Sequence, residues 1–306
     1  MSDHKEAKSF SRFGYIMVAA GAAIGLGNIW KFPYLAYGDG GGAFVLIYIV
    51  ICILLGHPIV QAEQAVGRRG RASAAASYGV IHPKWRFVGV INIVCTFLID
   101  IYYLVVSGWV LKYFVTYVVS GDFGKDKQAY FDNYISSTTQ PLIYSLIIIA
   151  IIVFFLFFGI TNIVEKASKV IMPMLAVLLL VCGIYALIVV PGAVDGLKYY
   201  FVPDFSKFGM QQFADACMQV CFSVGIGWGI FTTLGASMDK DANLKADAWW
   251  VDICDTFIAL LAGFVIIPTV VGTGSEMSSG PSLVFVAMTQ IFETLPGGRI
   301  IGIFFF

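Results

Sequence analysis

The feature that most constrains this chain is a glycine-broken apolar stretch at residues 21–33, which reads GAAIGLGNIWKFP. It lies inside an apolar run at about 13–37, and roughly 20 apolar residues are enough to cross a bilayer. Each of its three glycines costs about 1 kcal/mol of helix propensity relative to alanine, and Asn28 and Lys31 add polarity where polarity is expensive. Because non-helical backbone is tolerated at membrane depth only where protein or a water-filled cavity satisfies it, the stretch predicts a broken helix that binds a ligand.

Long apolar runs recur along the whole chain. Hydrophobic residues make up 59% of the 306 residues and charged residues 12%, whereas an ordinary soluble domain carries about 25% charged residues. The sequence therefore predicts an all-α, polytopic membrane protein. The candidate spans lie at about 13–37, 41–65, 88–120, 142–158, 168–191, 212–237 and 249–272, and an eighth begins near 298.

Composition also limits the partners. The formal net charge is zero, which gives no indication of a nucleic-acid partner and leaves the lipid bilayer as the expected surroundings. All six cysteines fall within apolar runs rather than in loops with disulfide or zinc-ligand spacing, which favours a packing role.

The distribution of lysine and arginine predicts the orientation. Basic residues concentrate on the cytoplasmic side of membrane proteins, and they are dense both in the N-terminal segment, residues 1–12, and in the loop after the second span. The N-terminus is therefore expected in the cytoplasm and the chain in the plasma membrane, with the loop at 192–211 external. The residues are Lys5, Lys8 and Arg12 in the segment, and Arg68, Arg69, Arg71, Lys84 and Arg86 in the loop.

A second interruption lies in the sixth span, where residues 223–229 read SVGIGWG. Two broken spans five helices apart have opposite orientations, as expected for an inverted repeat with its binding site near the membrane midplane. The alternative is a pair of glycine-rich faces for helix packing. Asn28 and Ser223, which are polar and stand beside the breaks, favour the binding site.

Broken helices expose carbonyls that can ligate a cation and N–H groups that can hold a carboxylate. Asn28 and Ser223 would add neutral oxygens, which suit a hard alkali cation. Asp255, in the seventh span, is an intramembrane acid and therefore a functional candidate. The alternative for Asp255 is a carboxyl group hydrogen-bonded within the helix bundle.

The run GAAIGLGNIWKFPYLAYGDGGGAF closely resembles the first-helix signature of the neurotransmitter:sodium symporter family. The resemblance continues through GHPIVQAEQAVGR, IYY, EKASKVIMP, FSVGIGWG and AGFVIIP, over essentially the whole chain. It implies a 5+5 inverted-repeat transporter, with a first repeat at 13–191 and a partial second repeat at 212–306.

The apolar patch at 282–292 is too short to span the membrane and is expected to be an external lid helix. Because the chain stops within the eighth span, it is expected to be an N-terminal fragment with an incomplete second repeat.

The resemblance implies two sodium sites. The first would use Asn28, Ser223, Asp255 and the carbonyl of Ala23. The second would use the carbonyls of Gly21 and Ile24, with further ligands from the eighth span that this chain lacks. An organic cofactor is not expected.

The resemblance also implies how an amino acid would bind. Its carboxylate would meet the amides of Leu26 and Gly27, the first sodium ion and the Tyr103 hydroxyl. Its amine would meet carbonyls at Ala23, Phe222 and Ser223. Its side chain would lie among Ile99, Phe222, Gly225 and Trp228.

Gly25 narrows the substrate class. Members of the family that carry monoamines have an aspartate here in place of the missing substrate carboxylate, whereas glycine leaves room for the carboxylate of an α-amino acid. We therefore expect the substrate to be a neutral, hydrophobic or aromatic amino acid.

The resemblance also bears on chloride. Chloride-dependent members use a chloride ion to balance the charge beside the first sodium ion, near positions that align with Tyr48, Gln219 and Ser223. Asp255 could supply that negative charge itself, which predicts chloride-independent transport.

The gates match the family less closely. Lys31 stands where the external-gate arginine is usual, with Tyr103 and Phe222 as the implied lid over the substrate. The family's inner-gate residues before the first helix are not matched, and Lys5, Lys8 or Arg12 could substitute for them. Ile163 replaces a glycine ten residues before Pro173, so unwinding of the fifth helix is expected to differ.

The sequence thus favours a sodium-coupled symporter that takes up an amino acid by alternating access. A channel or ligand-sensing membrane subunit on the same scaffold is the alternative. An intramembrane enzyme that uses Asp255 and Glu63 as an acid pair lacks a nucleophile or metal set. Glu63 is instead expected either to hydrogen-bond into the unwound first helix or to be structural.

Overall fold

The described part of the chain is almost entirely helical in a computed structural model, which covers residues 10–157, 160–239, 241–274, 280–294 and 296–306. The predicted all-α class is therefore confirmed. The first half contains α1 (Arg12–Ala23), α2 (Phe32–Gly38), α3 (Gly42–Ile51), α4 (His57–Gly70), α5 (Ala74–Ile81), α6 (Arg86–Val119), α7 (Lys127–Ser136) and α8 (Thr139–Phe157). The second half contains α9 (Ile160–Val189), α10 (Ala193–Phe201), α11 (Met210–Val224), α12 (Ile230–Ala236), α13 (Leu244–Thr273), α14 (Thr289–Thr294) and α15 (Gly298–Phe305).

Several of these helices are long and apolar enough to cross a membrane. Within the described residues, four are unbroken over the required length: Gly42–Gly70, Pro83–Val119, Ile163–Val189 and Leu244–Gly272. Two bent pairs also qualify if each is one span, namely Arg12–Ala23 with Gly27–Gly38 at 59° and Lys127–Ser136 with Thr139–Phe155 at 77°. The predicted sixth span is divided into α11 and α12, neither of which is long enough to span alone.

Two π-helical turns, Gly27–Lys31 and Cys52–Gly56, lie directly before Pro33 and Pro58. In both, the N–H before the proline reaches five residues back: Phe32 donates to the Gly27 carbonyl and His57 to the Cys52 carbonyl. Proline has no N–H, and its ring crowds the carbonyl four residues back. Widening the turn by one residue relieves that crowding, so each turn follows from its proline.

The helices α4 and α12 approach each other closely because glycines line the contact. A Cβ built on Gly67 would lie 1.9 Å from the Thr232 carbonyl oxygen, and one on Gly235 would lie 2.4 Å from the Gln64 carbonyl oxygen. Beyond this contact, Arg71 donates to the carbonyls of Ala236 and Met238 where α12 ends. A basic side chain thereby satisfies carbonyls that the end of a helix leaves without partners.

The segment predicted as a lid forms a π turn, Leu283–Met288, followed by α14. Leu283, Phe285 and Phe292 are at most 1% exposed. Phe285 packs against Phe131 with ring centroids 5.4 Å apart, and against Trp109 at 5.9 Å. The segment is thus part of an aromatic core, and its role as an external lid stays a prediction.

Candidate functional site

The first helix break is organised by Asn28. The helix α1 ends at Ala23, and the backbone of the next residue, Ile24, is extended at φ −68° and ψ 111°. The Gly25 N–H donates to Asn28 Oδ1 at 3.0 Å, and the Asn28 N–H donates to the Gly25 carbonyl at 3.1 Å. In an uninterrupted helix these two N–H groups would serve the carbonyls of Gly21 and Ile24. The break therefore withdraws helical donors from the two carbonyls that were predicted to ligate the second sodium ion.

The second break depends on glycine conformations. Gly225, Gly227 and Gly229 have φ values of 77°, 83° and 72°, a region that residues with a side chain rarely adopt. The chain leaves α11 and enters α12 through these positions, and the break exposes the Gly227 N–H. Glu63 Oε1 accepts a hydrogen bond from that N–H at 2.7 Å.

The bond from Gly227 bears on the two expected roles of Glu63, a hydrogen bond into the unwound first helix or a structural role. Its described hydrogen bond goes to the sixth-span break, which agrees with a structural role and not with a contact to the first helix. Glu63 is 5% exposed, and a charge-assisted bond from a glycine N–H stabilises such a buried carboxylate. The signal that could have indicated this is the run of three alternating glycines, which must leave N–H groups without helical partners.

A buried polar cluster joins the two breaks to α13. Asn28 Nδ2 donates to Asp255 Oδ1 at 2.8 Å and to the Asp255 carbonyl at 3.1 Å. Ser223 Oγ donates to Asp255 Oδ2 at 3.0 Å, and the Tyr48 hydroxyl lies 3.5 Å from Ser223 Oγ. Gln219 Nε2 donates to the Gly27 carbonyl at 2.9 Å. All five side chains are at most 2% exposed, so the structure brings together residues that are far apart in the sequence.

The oxygen atoms of this cluster are suitable ligands for a hard cation. Asn28 Oδ1, Ser223 Oγ and the Asp255 carboxylate are all oxygens, the ligand type that hard cations prefer. Ala23 is buried at the end of α1, directly before the extended Ile24. Amide and carboxylate oxygens each have more than one lone pair, so their present hydrogen bonds leave capacity for a cation. Asp255 was interpreted either as an ion ligand or as a carboxyl group that is hydrogen-bonded within the helix bundle. The observed hydrogen bonds are expected in both cases, so they do not distinguish the two roles.

Aromatic side chains surround the space beside the breaks. Trp228 packs edge to face against Tyr103, with centroids 6.4 Å apart, and against Phe222, at 5.6 Å. Thr96 Oγ1 donates to the Trp228 carbonyl, which ties the sixth-span break to α6. A Cβ built on Gly25 would lie 3.4 Å from the Tyr103 hydroxyl. The structure thus brings together the predicted residues of the first break, α6 and the sixth-span break.

The remaining predicted residues lie at the edges of this space. Gly27 is packed so closely that a Cβ there would lie 2.9 Å from Phe222 Cδ1. Ile99 is half-buried on α6, one helical turn before Tyr103, and Leu26 is half-buried next to Gly27. Lys31 Nζ lies 4.4 Å from the centroid of the Phe222 ring, a distance at which an ammonium group is attracted to an aromatic face.

The start of α1 is held by polar contacts that the sequence did not reveal. Arg12 Nε donates to Asp247 Oδ1, at the start of α13, at 2.8 Å. Ser11 Oγ donates to Glu165 Oε1 at 2.6 Å, and Lys169 Nζ lies 2.6 Å from the same oxygen. Of the three basic residues considered for the inner gate, Arg12 has a partner, while Lys5 and Lys8 lie outside the described residues.

The fifth helix is continuous in the structure. The helix α9 runs from Ile160 to Val189 with Pro173 inside it and Ile163 in its first turn. The difference in unwinding that Ile163 implies stays a prediction.

Comparison with known proteins gives a consistent result. The model of the Sodium:neurotransmitter symporter family matches residues 7–121 and 131–306. An uncharacterized sodium-dependent transporter of Haemophilus influenzae is 33% identical over 311 residues, which cover 97% of this chain and 68% of that protein. The uncharacterized sodium-dependent transporter YhdH of Bacillus subtilis is 34% identical over 305 residues, covering 98% of this chain and 67% of the relative.

Among solved structures, a crystal structure of MhsT in complex with L-phenylalanine is similar, with a TM-score of 0.90 and 35% sequence identity. The match covers 98% of this chain and 69% of MhsT. This chain therefore spans about two thirds of the length of these similar proteins.

Proposed function

The chain belongs to the sodium:neurotransmitter symporter family, and from this premise we propose that it takes part in sodium-coupled uptake of a neutral, hydrophobic or aromatic amino acid by alternating access. The observation that carries the proposal is the buried cluster in which Asn28, from the first break, and Ser223, beside the second, both bond to the Asp255 carboxylate. Ions bound there would contact three separate helices, so their binding is coupled to the relative position of those helices.

Two sodium ions are proposed. Asn28, Ser223, Asp255 and the Ala23 carbonyl would hold the first. The carbonyls of Gly21 and Ile24, whose helical donors are engaged elsewhere, would contribute to the second. Sodium supplies positive charge that a substrate carboxylate can meet, while the residues of this chain fix the position of both.

The amino-acid preference rests on Gly25 and on the aromatic walls. Space beside Gly25 faces the Tyr103 hydroxyl, a donor for a substrate carboxylate, together with the amides of Leu26 and Gly27. Phe222 and Trp228 would contact the substrate side chain, with Ile99 and Gly225. MhsT, at 35% identity, binds L-phenylalanine in its crystal structure, which supports a hydrophobic or aromatic side chain.

We further propose chloride-independent transport, since the Asp255 carboxylate, which accepts a hydrogen bond from Ser223, would itself supply the negative charge that balances the first sodium ion. We propose that the chain lies in the plasma membrane with its N-terminus in the cytoplasm. Residues 13–191 would form the first five-helix repeat and 212–306 part of the second, with 192–211 external. Lys31, Tyr103 and Phe222 would close the site from outside.

Uptake of radiolabelled amino acids into proteoliposomes tests the proposal, with sodium or potassium as the external cation. We expect saturable uptake of at least one neutral amino acid in sodium and background in potassium. A conductance that does not saturate would instead favour a channel. Absence of sodium stimulation for all twenty amino acids would overturn the proposal.

A further inference from the structure

A second buried polar pair lies one helical turn from Asp255 on α13. His57 Nδ1 lies 2.8 Å from Asp252 Oδ2, and the two residues are 7% and 3% exposed. The His57 ring also stacks on Trp249, with centroids 4.0 Å apart and an interplanar angle of 20°. The pair therefore links the middle of the second span to the seventh with a fixed geometry.

The carboxylate of this pair is only half satisfied. Among the described residues, no donor lies within hydrogen-bond distance of Asp252 Oδ1, although the atom is buried. A neighbouring crevice of about 280 Å³ is lined mostly by apolar side chains, including Ile49, Ile253 and Phe257. An unpartnered anionic oxygen in such surroundings is costly. Retaining one proton between the imidazole and the carboxyl group leaves the pair neutral overall and lowers that cost.

Among the residues that the structure describes, three further charged or titratable groups are near the pair. On α13, Asp255 is one turn further along and Lys245 lies on the exposed first turn. From the second span, the Cys52 thiol faces Asp252 and lies 3.5 Å from Thr256 Oγ1. The pair is thus closer along the helix to the proposed sodium ligand Asp255 than to the end of α13 where Lys245 lies.

We propose that His57 and Asp252 form an intramembrane proton-binding site whose proton opposes a sodium ion bound at Asp255. This inference rests on the proposed function, because it takes Asp255 as a sodium ligand. A sodium ion adds positive charge one helical turn from the pair, where screening by water is weak. It therefore disfavours the proton, and by linkage the proton weakens sodium binding to the same extent. Raising the pH removes the proton and strengthens sodium binding.

Sodium-binding isotherms of the purified protein at low and high pH test the linkage. The variants are His57→Gln and Asp252→Asn, neither of which alters the sodium cluster. The control is Asp195→Asn, which removes an exposed carboxylate 3.3 Å from Lys198. Between about pH 5.5 and about pH 8.5, we expect sodium affinity of the wild type and the control to rise roughly five- to tenfold, within the range usual for coupled sites. The two variants should bind sodium with little dependence on pH.

The proposal is overturned if wild-type affinity does not change with pH, or if both variants keep the full pH dependence, which would assign it to Asp255 or another group. A second measurement leaves the pair intact, so that it does not depend on the folding of either variant. The chain has three histidines, so His4→Gln and His82→Gln leave His57 as the single histidine for ¹⁵N NMR of the chain.

Sodium should shift the His57 nitrogen signals towards the deprotonated form at a pH where the pair is half protonated. A His57 spectrum that is unchanged by sodium across the pH range overturns the proposal even if no variant folds. A wild type that binds no sodium at any pH contradicts the proposed function itself. That failure is distinguishable, because titration of His57 in potassium reports on the proton site without sodium.

Discussion

Asn28 and Asp255, 227 residues apart in the sequence, are joined by a 2.8 Å hydrogen bond between Asn28 Nδ2 and Asp255 Oδ1. The other amide atom, Asn28 Oδ1, accepts the Gly25 N–H at 3.0 Å. One fully buried side chain therefore connects the broken backbone of the first span to the acid of the seventh. If α1 moves relative to α13, either the hydrogen bond between Asn28 and Asp255 is lost or Asn28 changes position, and Asn28 also determines the backbone conformation where the first helix is interrupted.

Replacing the Asp255 carboxylate should create a requirement for chloride. In Asp255→Ser, the hydroxyl and amide groups of Tyr48, Ser223 and Gln219 remain, but the fixed negative charge beside the proposed sodium site is removed. We expect uptake by the wild type to be equal in chloride and gluconate, and uptake by the variant to be at least about tenfold higher in chloride, the factor that about 1.4 kcal/mol of charge stabilisation supplies.

Sodium-driven uptake of the preferred amino acid, measured in both anions, checks this prediction. The control is Asp195→Asn, an exposed acid far along the chain from the cluster, which should behave as the wild type. A wild type whose uptake falls to background in gluconate would contradict the proposed charge balance.

Gly25→Ala should weaken substrate binding without loss of folding. The added Cβ would lie 3.4 Å from the Tyr103 hydroxyl, so the protein accommodates it with small shifts. It occupies space proposed for the substrate carboxylate, and we expect KM to rise by about tenfold, equivalent to about 1.4 kcal/mol. Gly38→Ala is the matched control, since a Cβ there meets nothing within 4 Å. An unchanged KM in Gly25→Ala would place the carboxylate elsewhere.

The helix breaks could be predicted from the sequence because their causes are local. Glycines at 225, 227 and 229 permit positive φ values, and the proline at 33 fixes its own φ and removes an N–H donor, whatever the rest of the fold does. The expectation that Asn28, Ser223 and Asp255 share a site came from family resemblance, since no local rule brings together residues on three helices. The position of Pro58 could also have predicted the π turn in the second span, by the same argument that applies to Pro33.

The partners of individual side chains could not be predicted in this way. Glu63 bonds to Gly227 rather than to the first helix, and Arg12 pairs with Asp247 over 235 residues. Such choices depend on the rotation and offset of packed helices, which periodicity does not determine. His57 and Asp252 likewise have no ligand-like spacing in the sequence and meet only because the second span packs on α13.

Gly67→Ala should destabilise the protein strongly. A Cβ at Gly67 would lie 1.9 Å from the Thr232 carbonyl oxygen. Because this oxygen belongs to the backbone of α12, the overlap is relieved only if α4 and α12 move apart. Such overpacking costs about 1–3 kcal/mol or more. Gly79→Ala is the control, because its nearest contact would be an ordinary 3.6 Å to Arg86. Thermal unfolding in the same detergent measures both variants, and equal melting temperatures would show that the two helices do not pack as described.

Asp39→Asn should stabilise the protein in a pH-dependent way. Burial, and secondly the negative charge of Asp215, raises the pKa of Asp39 from 3.8 to about 6, and its Oδ2 atom has no hydrogen-bond partner among the described residues. Between these two values the folded state binds more protons than the unfolded state, so this carboxyl group lowers stability as the pH rises. Because Asp39 is only partly buried, solvent screening limits the gain in the variant to about 1–2 °C.

Melting temperatures of the wild type and Asp39→Asn should therefore coincide near pH 3.8, diverge as the pH rises to about 6, and keep that difference at higher pH, with the variant higher. Asp195→Asn, an exposed acid beside Lys198, should show no such divergence. A difference that is independent of pH, or largest in acid, would assign the effect to something other than ionisation of Asp39.

The ion pair between Arg12 and Asp247 should respond asymmetrically to loss of its two members. The Arg12 side chain is 60% exposed, whereas that of Asp247 is 2% exposed. Arg12→Gln leaves a buried carboxylate without its cation and should cost about 1–2 kcal/mol, less than a fully buried pair because water reaches the arginine. Asp247→Asn leaves an arginine that water can solvate and should cost under about 1 kcal/mol.

The double variant Arg12→Gln with Asp247→Asn should be more stable than Arg12→Gln alone, because the uncompensated carboxylate is gone. Melting temperatures of the wild type and the three variants together give the coupling between the two residues. Hydrogen exchange over residues 12–23 should be faster in Arg12→Gln than in the wild type, since α1 loses its bond to α13. Lys198→Gln, which breaks a pair exposed on both sides, should change neither quantity. If Arg12→Gln is as stable as Asp247→Asn, the prediction is wrong, because the negative charge of Asp247 is then stabilised by water or by another cation when Arg12 is absent.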